Sequence, residues 1–213
     1  MAEMSLQASA YNGEALTAAK CRSEGNTVGS LTEMQRSIII GSLLGDGAMR
    51  CKVNALLEIN HSIKQKFYVD WKHRHLANLV ITPPKARKGN GKRIAYRFTT
   101  RSLPELTTIY NRFYPGRHKA IPETLVLDPL MLAVWFMDDG CKSYRALYLN
   151  SQEFNFTSQE RLMKFLREQW GIKSTLNRDK IYLRIRIAVE SVSLFKEIVF
   201  PHILPLFQYK FPS

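Results

Sequence analysis

Asp46 and Asp139 are the two side chains whose placement in the sequence asks for chemistry. Each precedes a glycine and each ends an apolar run, 37–44 and 130–137, that reads as a helix. A carboxylate at a helix C-terminus faces the negative end of the helix dipole, at a cost of about 0.3–1 kcal/mol. One Asp-Gly of this kind would be read as a turn and nothing more. Two at matching points of a chain rich in Lys and Arg describe a site that expects a cation. Carboxylate and phosphate oxygens are ordinary ligands of Mg²⁺, so the pair points toward a divalent metal and a phosphate-bearing partner.

The elements that must carry these acids occur twice. Thr32-Glu33-Met34-Gln35 has the form of a capping box ahead of the first apolar helix, and Gly47 supplies its stop. Asp128-Pro129 offers an N-cap and a first-turn proline ahead of the second, which stops at Gly140. Short strands are expected at 56–60 and 147–150, then basic, aromatic-rich helices at 64–80 and 158–170. Strict alternation follows in both parts. Arg93, Arg97 and Arg101 share one parity against Ile94, Tyr96 and Phe98; Lys180, Tyr182, Arg184 and Arg186 alternate with Ile181, Leu183, Ile185 and Ile187. Helices near 103–113 and 191–203 close the two parts, which read as an internal duplication. The apolar strand faces must pack on helices. The other faces become basic surfaces with almost no acid, reinforced by a loop from Lys85-Ala86-Arg87-Lys88 to Arg93.

Charge agrees with that patterning. Among 213 residues, 31 Lys and Arg against 18 Asp and Glu give a formal net charge of +13, a field that attracts polyanions. No apolar run approaches the ~18 residues of a membrane span. Cys21, Cys51 and Cys141 have no C-x-x-C spacing, so neither a disulfide framework nor a zinc site is indicated, and an intracellular, reducing setting is expected. Residues 1–30 lack the apolar core of a secretory signal and read as a flexible or irregular extension. The chain contains no phosphate-binding glycine loop, nucleophile elbow or His-Asn-His nuclease constellation.

The segment Ile39-Ile40-Gly41-Ser42-Leu43-Leu44-Gly45-Asp46-Gly47 resembles the LAGLIDADG motif. Leu132-Ala133-Val134-Trp135-Phe136-Met137-Asp138-Asp139-Gly140 resembles its second copy, as in monomeric, two-motif LAGLIDADG homing endonucleases. Tyr96-Arg97-Phe98, His118-Lys119-Ala120-Ile121-Pro122, Leu149-Asn150-Ser151-Gln152-Glu153-Phe154 and Tyr209-Lys210-Phe211-Pro212 extend the likeness in order along the chain. The resemblance implies an α+β fold of two pseudo-symmetric αββαββα halves, 31–122 and 123–213, with paired motif helices and saddle-shaped antiparallel sheets astride a duplex. It implies a site-specific double-strand DNA endonuclease in which Mg²⁺, or Mn²⁺ or Ca²⁺ in its place, is bound by Asp46 and Asp139, each acid serving one strand. The backbone carbonyls of Gly45 and Asp138 are expected as further ligands, and Lys119 and Lys210 as the basic active-site residues, one per half. Arg93, Arg97, Arg101, Lys180, Arg184 and Arg186 are the expected groove-facing residues, with Lys142 and Gln152 as further candidates. Gly41 and Gly45 would let the second helix approach closely, with Ala133 as the small counterpart.

Two other readings remain. An intron RNA maturase would use the same fold and the same charge, and a DNA-binding regulator would use it with a degenerate site. Retention of both acids and both lysines favours the nuclease. The expected protein is a monomer of an organelle or of bacterial cytoplasm, with double-stranded DNA as its partner and intron RNA as an additional one.

Overall fold

The computed structural model describes residues 30–89, 91, 93–116 and 118–212, so the expectation for the N-terminal extension lies outside the described residues apart from Ser30. The chain runs α1 (Glu33–Leu44), β1 (Ala48–Cys51), β2 (Ala55–Ser62), α2 (Lys66–His75), β3 (Lys85–Lys88), β4 (Ile94–Thr99) and α3 (Pro104–Phe113). The same order repeats in α4 (Pro129–Asp139), β5 (Gly140–Ser143), β6 (Ala146–Leu149), α5 (Phe156–Trp170), β7 (Ser174–Asp179), β8 (Tyr182–Ile187) and α6 (Val192–Val199). Each αββαββα unit carries one four-stranded antiparallel sheet, in the orders β1-β2-β4-β3 and β5-β6-β8-β7.

Helix α1 begins where its sequence dictates. Thr32 Oγ1 accepts from Gln35 N and Gln35 Oε1 accepts from Thr32 N, both at 3.2 Å, which satisfies two first-turn donors. The Gln35 amide also donates to Asn78 Oδ1 at 2.6 Å, fastening this cap to the turn after α2. For α4 the Asp128 carboxylate accepts from Met131 N at 2.7 Å and from Ser37 Oγ at 2.5 Å. One side chain therefore caps α4 and ties its start to α1.

Neither helix has a solvent face to speak of. From Ser37 to Gly45 in α1 and its cap, and from Met131 to Asp138 in α4, every residue is buried. A helix apolar all round belongs in a core, and these two form it by packing on each other. Their approach is close enough to require glycine. A Cβ on Gly41 would lie 2.7 Å from Val134 Cβ and 2.8 Å from Met131 O; one on Gly45 would lie 2.5 Å from Asp138 Cβ. The counterparts are thus Val134 and Asp138, where Ala133 was expected, because the crossing sets α1 against the Met131–Val134–Asp138 stripe of α4.

The sheets differ from expectation in their edges. Strand β1 begins directly after Asp46-Gly47 and β5 at Gly140 itself, and residues 85–88, read as a loop, form edge strand β3. Strand β7 was not expected at all: it is half-exposed and polar, so it lacks apolar alternation. The basic helix expected over 64–80 is three pieces: a 3₁₀ turn at Ile63–Gln65, α2, and a second turn at Ala77–Leu79. It breaks at Leu76, whose N–H is shared between Lys72 O and His73 O.

Candidate active site

Helix α1 is capped by Gly45 and α4 ends at Asp139, so their C-termini carry Asp46 and Asp139 to one end of the packed pair. There the two acids line a cleft of about 280 Å³ together with Gly45, Asn150, Gln152 and Glu153. Asp46 is half-exposed. A long contact from His61 Nδ1, 3.4 Å from Asp46 Oδ2, holds its carboxyl below the ordinary carboxylate range, with burial opposing. Asp139 behaves in the opposite way. Burial first, then the charges of Asp46, Asp138 and Glu153, push it up to about 8, with Lys119 opposing. Burial likewise raises Glu153. Acids crowded at two negative helix ends carry a surplus of negative charge that a hard divalent cation would relieve. The donor set therefore fits such an ion.

That crowding gives a pH dependence. The folded-state value of Asp139 lies above its ordinary 3.8, so the folded protein keeps an extra proton between about pH 4 and pH 8. The stability this contributes is complete below about pH 4 and is lost as pH rises through about 8. Melting temperature in EDTA is expected to fall as pH climbs from about 5 to about 9. Asp139→Asn is expected to flatten that fall and to raise the melting temperature at the alkaline end by roughly 2–8 °C. A variant whose pH profile overlays the parent's would contradict the crowding.

The two expected lysines converge on the site, in unequal ways. Lys119 Nζ donates to Gly45 O at 3.1 Å, Gly47 O at 2.9 Å and Glu153 Oε1 at 2.7 Å. Lys210 Nζ donates to Phe136 O, Met137 O and Asp138 O at 3.2, 2.6 and 3.3 Å. Each ammonium group sits on the carbonyls that end one motif helix, where a cation is favoured by the dipole. Burial lowers the Lys210 pKa, against the pull of Asp138, Asp139 and Asp46. The Gly45 and Asp138 carbonyls expected as metal ligands each accept a lysine hydrogen bond. The Asp138 side chain is withdrawn from the cleft altogether: it is fully buried, with Lys72 Nζ 2.9 and 3.0 Å from its two oxygens.

The outer sheet faces hold some of the expected basic residues. Arg97 lies on the first, opposite Asn60 and Lys85, and Arg184 and Arg186 lie on the second, with Arg184 over the Tyr148 ring at 4.1 Å. Four of the expected residues lie off the outer strand rows. Arg101 follows the end of β4 and donates to Asn78 O at 2.8 Å, so it leaves the strand row. Lys180 occupies the β7–β8 turn with φ +57°, off either face. Lys142 pairs opposite buried Leu147 and shares its parity, but at the edge of the sheet it is itself exposed. Gln152 lies past the end of β6 in the cleft and donates to Asp179 Oδ2 at 2.9 Å. Arg93 is exposed just before β4. The first face also contains an acid: Glu58 pairs with Arg50 at 2.7 Å and with Arg97 at 3.5 Å.

His61, Lys72 and Glu153 reach the site without having been assigned a role from the sequence. For His61 a signal existed, since it continues the buried parity of Leu57 and Ile59 in β2. Asp46, His61 and Asp138 bring one ligand atom each within 4.8 Å of one another. For Lys72 no signal existed, because it is one lysine among several on a basic helix.

Two symmetry-related apolar helices packed through glycines, with a carboxylate and a lysine at the end of each, define a LAGLIDADG site. The chain belongs to the LAGLIDADG DNA endonuclease family, whose model matches residues 36–195. The solved structure of the homing endonuclease I-WcaI bound to its DNA recognition sequence aligns with a TM-score of 0.80 at 25% identity, covering 92% of this chain and 99% of that one. The probable intron-encoded endonuclease 1 of Wickerhamomyces canadensis is 29% identical over 197 residues, 85% of each chain. The cytochrome b mRNA maturase bI2 of Saccharomyces cerevisiae is 29% identical over 212 residues, 87% of this chain. The chain spans about half the length of that curated relative, 49%. Among the described residues no helix is long and apolar enough to cross a membrane.

Proposed function

We propose that this protein is a monomeric, Mg²⁺-dependent endonuclease that cuts both strands of a long, asymmetric DNA site, through halves spanning 31–122 and 123–213. The observation that carries the reading is the convergence of Asp46 and Asp139 in one cleft with a lysine on each helix end. Asp46 and Asp139 would hold the cation, Mg²⁺ or, in its place, Mn²⁺ or Ca²⁺. When bound, it supplies charge neutralisation at the phosphate and activation of water. The protein does the rest. Lys119 and Lys210 offset the negative helix ends and hold the last turns in place, so the two carboxylates are aimed before substrate arrives. Arg97, Arg184 and Arg186 offer guanidinium groups to phosphates and guanine edges. Overall, water adds at phosphorus, a phosphorus–oxygen bond breaks, and the leaving oxygen takes a proton.

The test is selection of metal-free protein on randomised duplexes, followed by Mg²⁺ or EDTA. The reading expects one long sequence to be enriched and then cut only with metal. Failure to enrich any duplex, with tight binding of an intron transcript, would support the second reading, an RNA maturase. That reading is favoured by the resemblance to the yeast maturase.

The second half adds a recognition element. Tyr144 is 98% exposed at the β5–β6 turn with φ +58°, between Lys142 and Arg145. A left-handed conformation costs a non-glycine residue about 1–2 kcal/mol, and a side chain exposed this fully has little packing to offset it. Tyr144→Gly is expected to raise the melting temperature by roughly 2–4 °C and to weaken binding of the selected duplex about fivefold. A stabilised variant with unchanged affinity would remove Tyr144 from the interface.

A further inference from the structure

A chain of polar side chains runs through the otherwise apolar centre and touches both motif helices. Lys72, on α2 of the first half, is fully buried, and its ammonium pairs with Asp138 on α4 of the second half. It also lies over the Tyr68 ring at 4.5 Å, while Tyr68 Oη donates to Val134 O at 3.3 Å. On the other side of Asp138 stands the His61 ring, with Nε2 3.8 Å from Asp138 Oδ1 and Nδ1 3.4 Å from Asp46 Oδ2. Both ring nitrogens are buried, and neither makes a well-aligned hydrogen bond with any other group among the described residues. Among the described residues the ring nitrogens face the two carboxylates, one at each end, and the ring itself packs against Tyr68 at 5.3 Å between centroids.

The second half lacks this arrangement. Ser151 continues the buried parity of β6 as His61 does that of β2, and it meets the buried Gln159 amide at 3.2 Å instead of a charge. Gly45 in the first motif stands where the second has Asp138, and the absent Cβ of Gly45 is the space into which Asp138 packs. A buried ion pair is a weak source of stability compared with apolar residues of the same size. Placed between the two acids, it can fix geometry.

We infer that Lys72 and His61 are positioning residues for Asp46: Lys72 fixes the Asp138 carboxylate, Asp138 fixes one end of the His61 ring, and the other end of the ring aims Asp46. The aim of the first acid is then set through Asp138 of the opposite half, and among the described residues no matching relay reaches Asp139. The strand assignment rests on the nuclease reading above; the placement of the ring does not.

The experiment combines strand-resolved single-turnover cutting of the selected duplex with imidazole nitrogen–proton NMR of metal-free protein. Asp46→Asn identifies the strand served by Asp46. The variants are His61→Leu, the charge-free pair Lys72→Met/Asp138→Asn, and their combination. Nicking of the Asp46 strand is expected to slow about 10- to 100-fold in His61→Leu and in the pair, with duplex affinity kept. The combination is expected to be no slower than His61→Leu alone, because Lys72 acts through the ring. In the spectra, the sharp His61 ring signals of the parent are expected to broaden or shift in the pair variant. Multiplying effects in the combination, or equal slowing of both strands, would overturn the inference. Unperturbed His61 ring signals in the pair variant would overturn it even if the parent protein cut no DNA.

Discussion

Asp46→Asn and Asp139→Asn are each expected to turn the protein into a nicking enzyme, and for opposite strands. Either change removes a carboxyl group able to bind a cation from a cleft whose two acids come from different motif helices. Losing a carboxylate ligand should forfeit several kcal/mol of transition-state stabilisation, about a thousandfold in the rate of the strand it serves. Duplex affinity should hold, because the surfaces proposed to grip DNA are the outer sheet faces and the β5–β6 turn, away from the two acids. Stability should respond in opposite senses. Asp139→Asn relieves a crowded, partly buried charge, whereas Asp46→Asn loses the favourable contact to His61. Melting curves measured beside the cleavage assays would separate a lost reaction from a lost fold.

Lys72→Met is expected to be the most damaging single change to the fold. It leaves the Asp138 carboxylate fully buried without its partner, which costs about 3–5 kcal/mol in comparable cases. For a chain of this size that lowers the melting temperature by roughly 10 °C. Adding Asp138→Asn should restore most of the loss, because the buried charge goes with its partner. If Lys72→Met alone melted like the parent, the ammonium and carboxylate would not be paired in the core.

How much of this was written in the sequence depends on which force fixes each residue. Asp46 and Asp139 were legible because an apolar helix ended by Asp-Gly is a local pattern, and its repetition could be counted. The capping residues Thr32, Gln35 and Asp128 were legible for the same reason and act as expected. Alternation correctly placed Arg97, Arg184 and Arg186 on the outer faces. It failed for Arg101 and Lys180, because a period of two in sequence can continue past the end of a strand while the backbone turns away. Lys72 was invisible: which lysine of a basic helix faces inward depends on how α2 meets α4, a long-range fact. Asp138 looked optional beside Gly45, yet the pair is one steric unit, with the glycine making room for the acid. The lysines were placed at the right site, but their hold on the helix-end carbonyls depends on geometry that no spacing reveals.

A paired site with one acid per strand should leave its signature in where the wild-type protein cuts DNA. Mapping both 5′ ends released from the selected duplex in Mg²⁺ is expected to show paired, staggered nicks at one site, one on each strand, and none in EDTA. Cuts confined to one strand, or no cuts while an intron transcript is tightly bound, would contradict a paired site of one acid per strand.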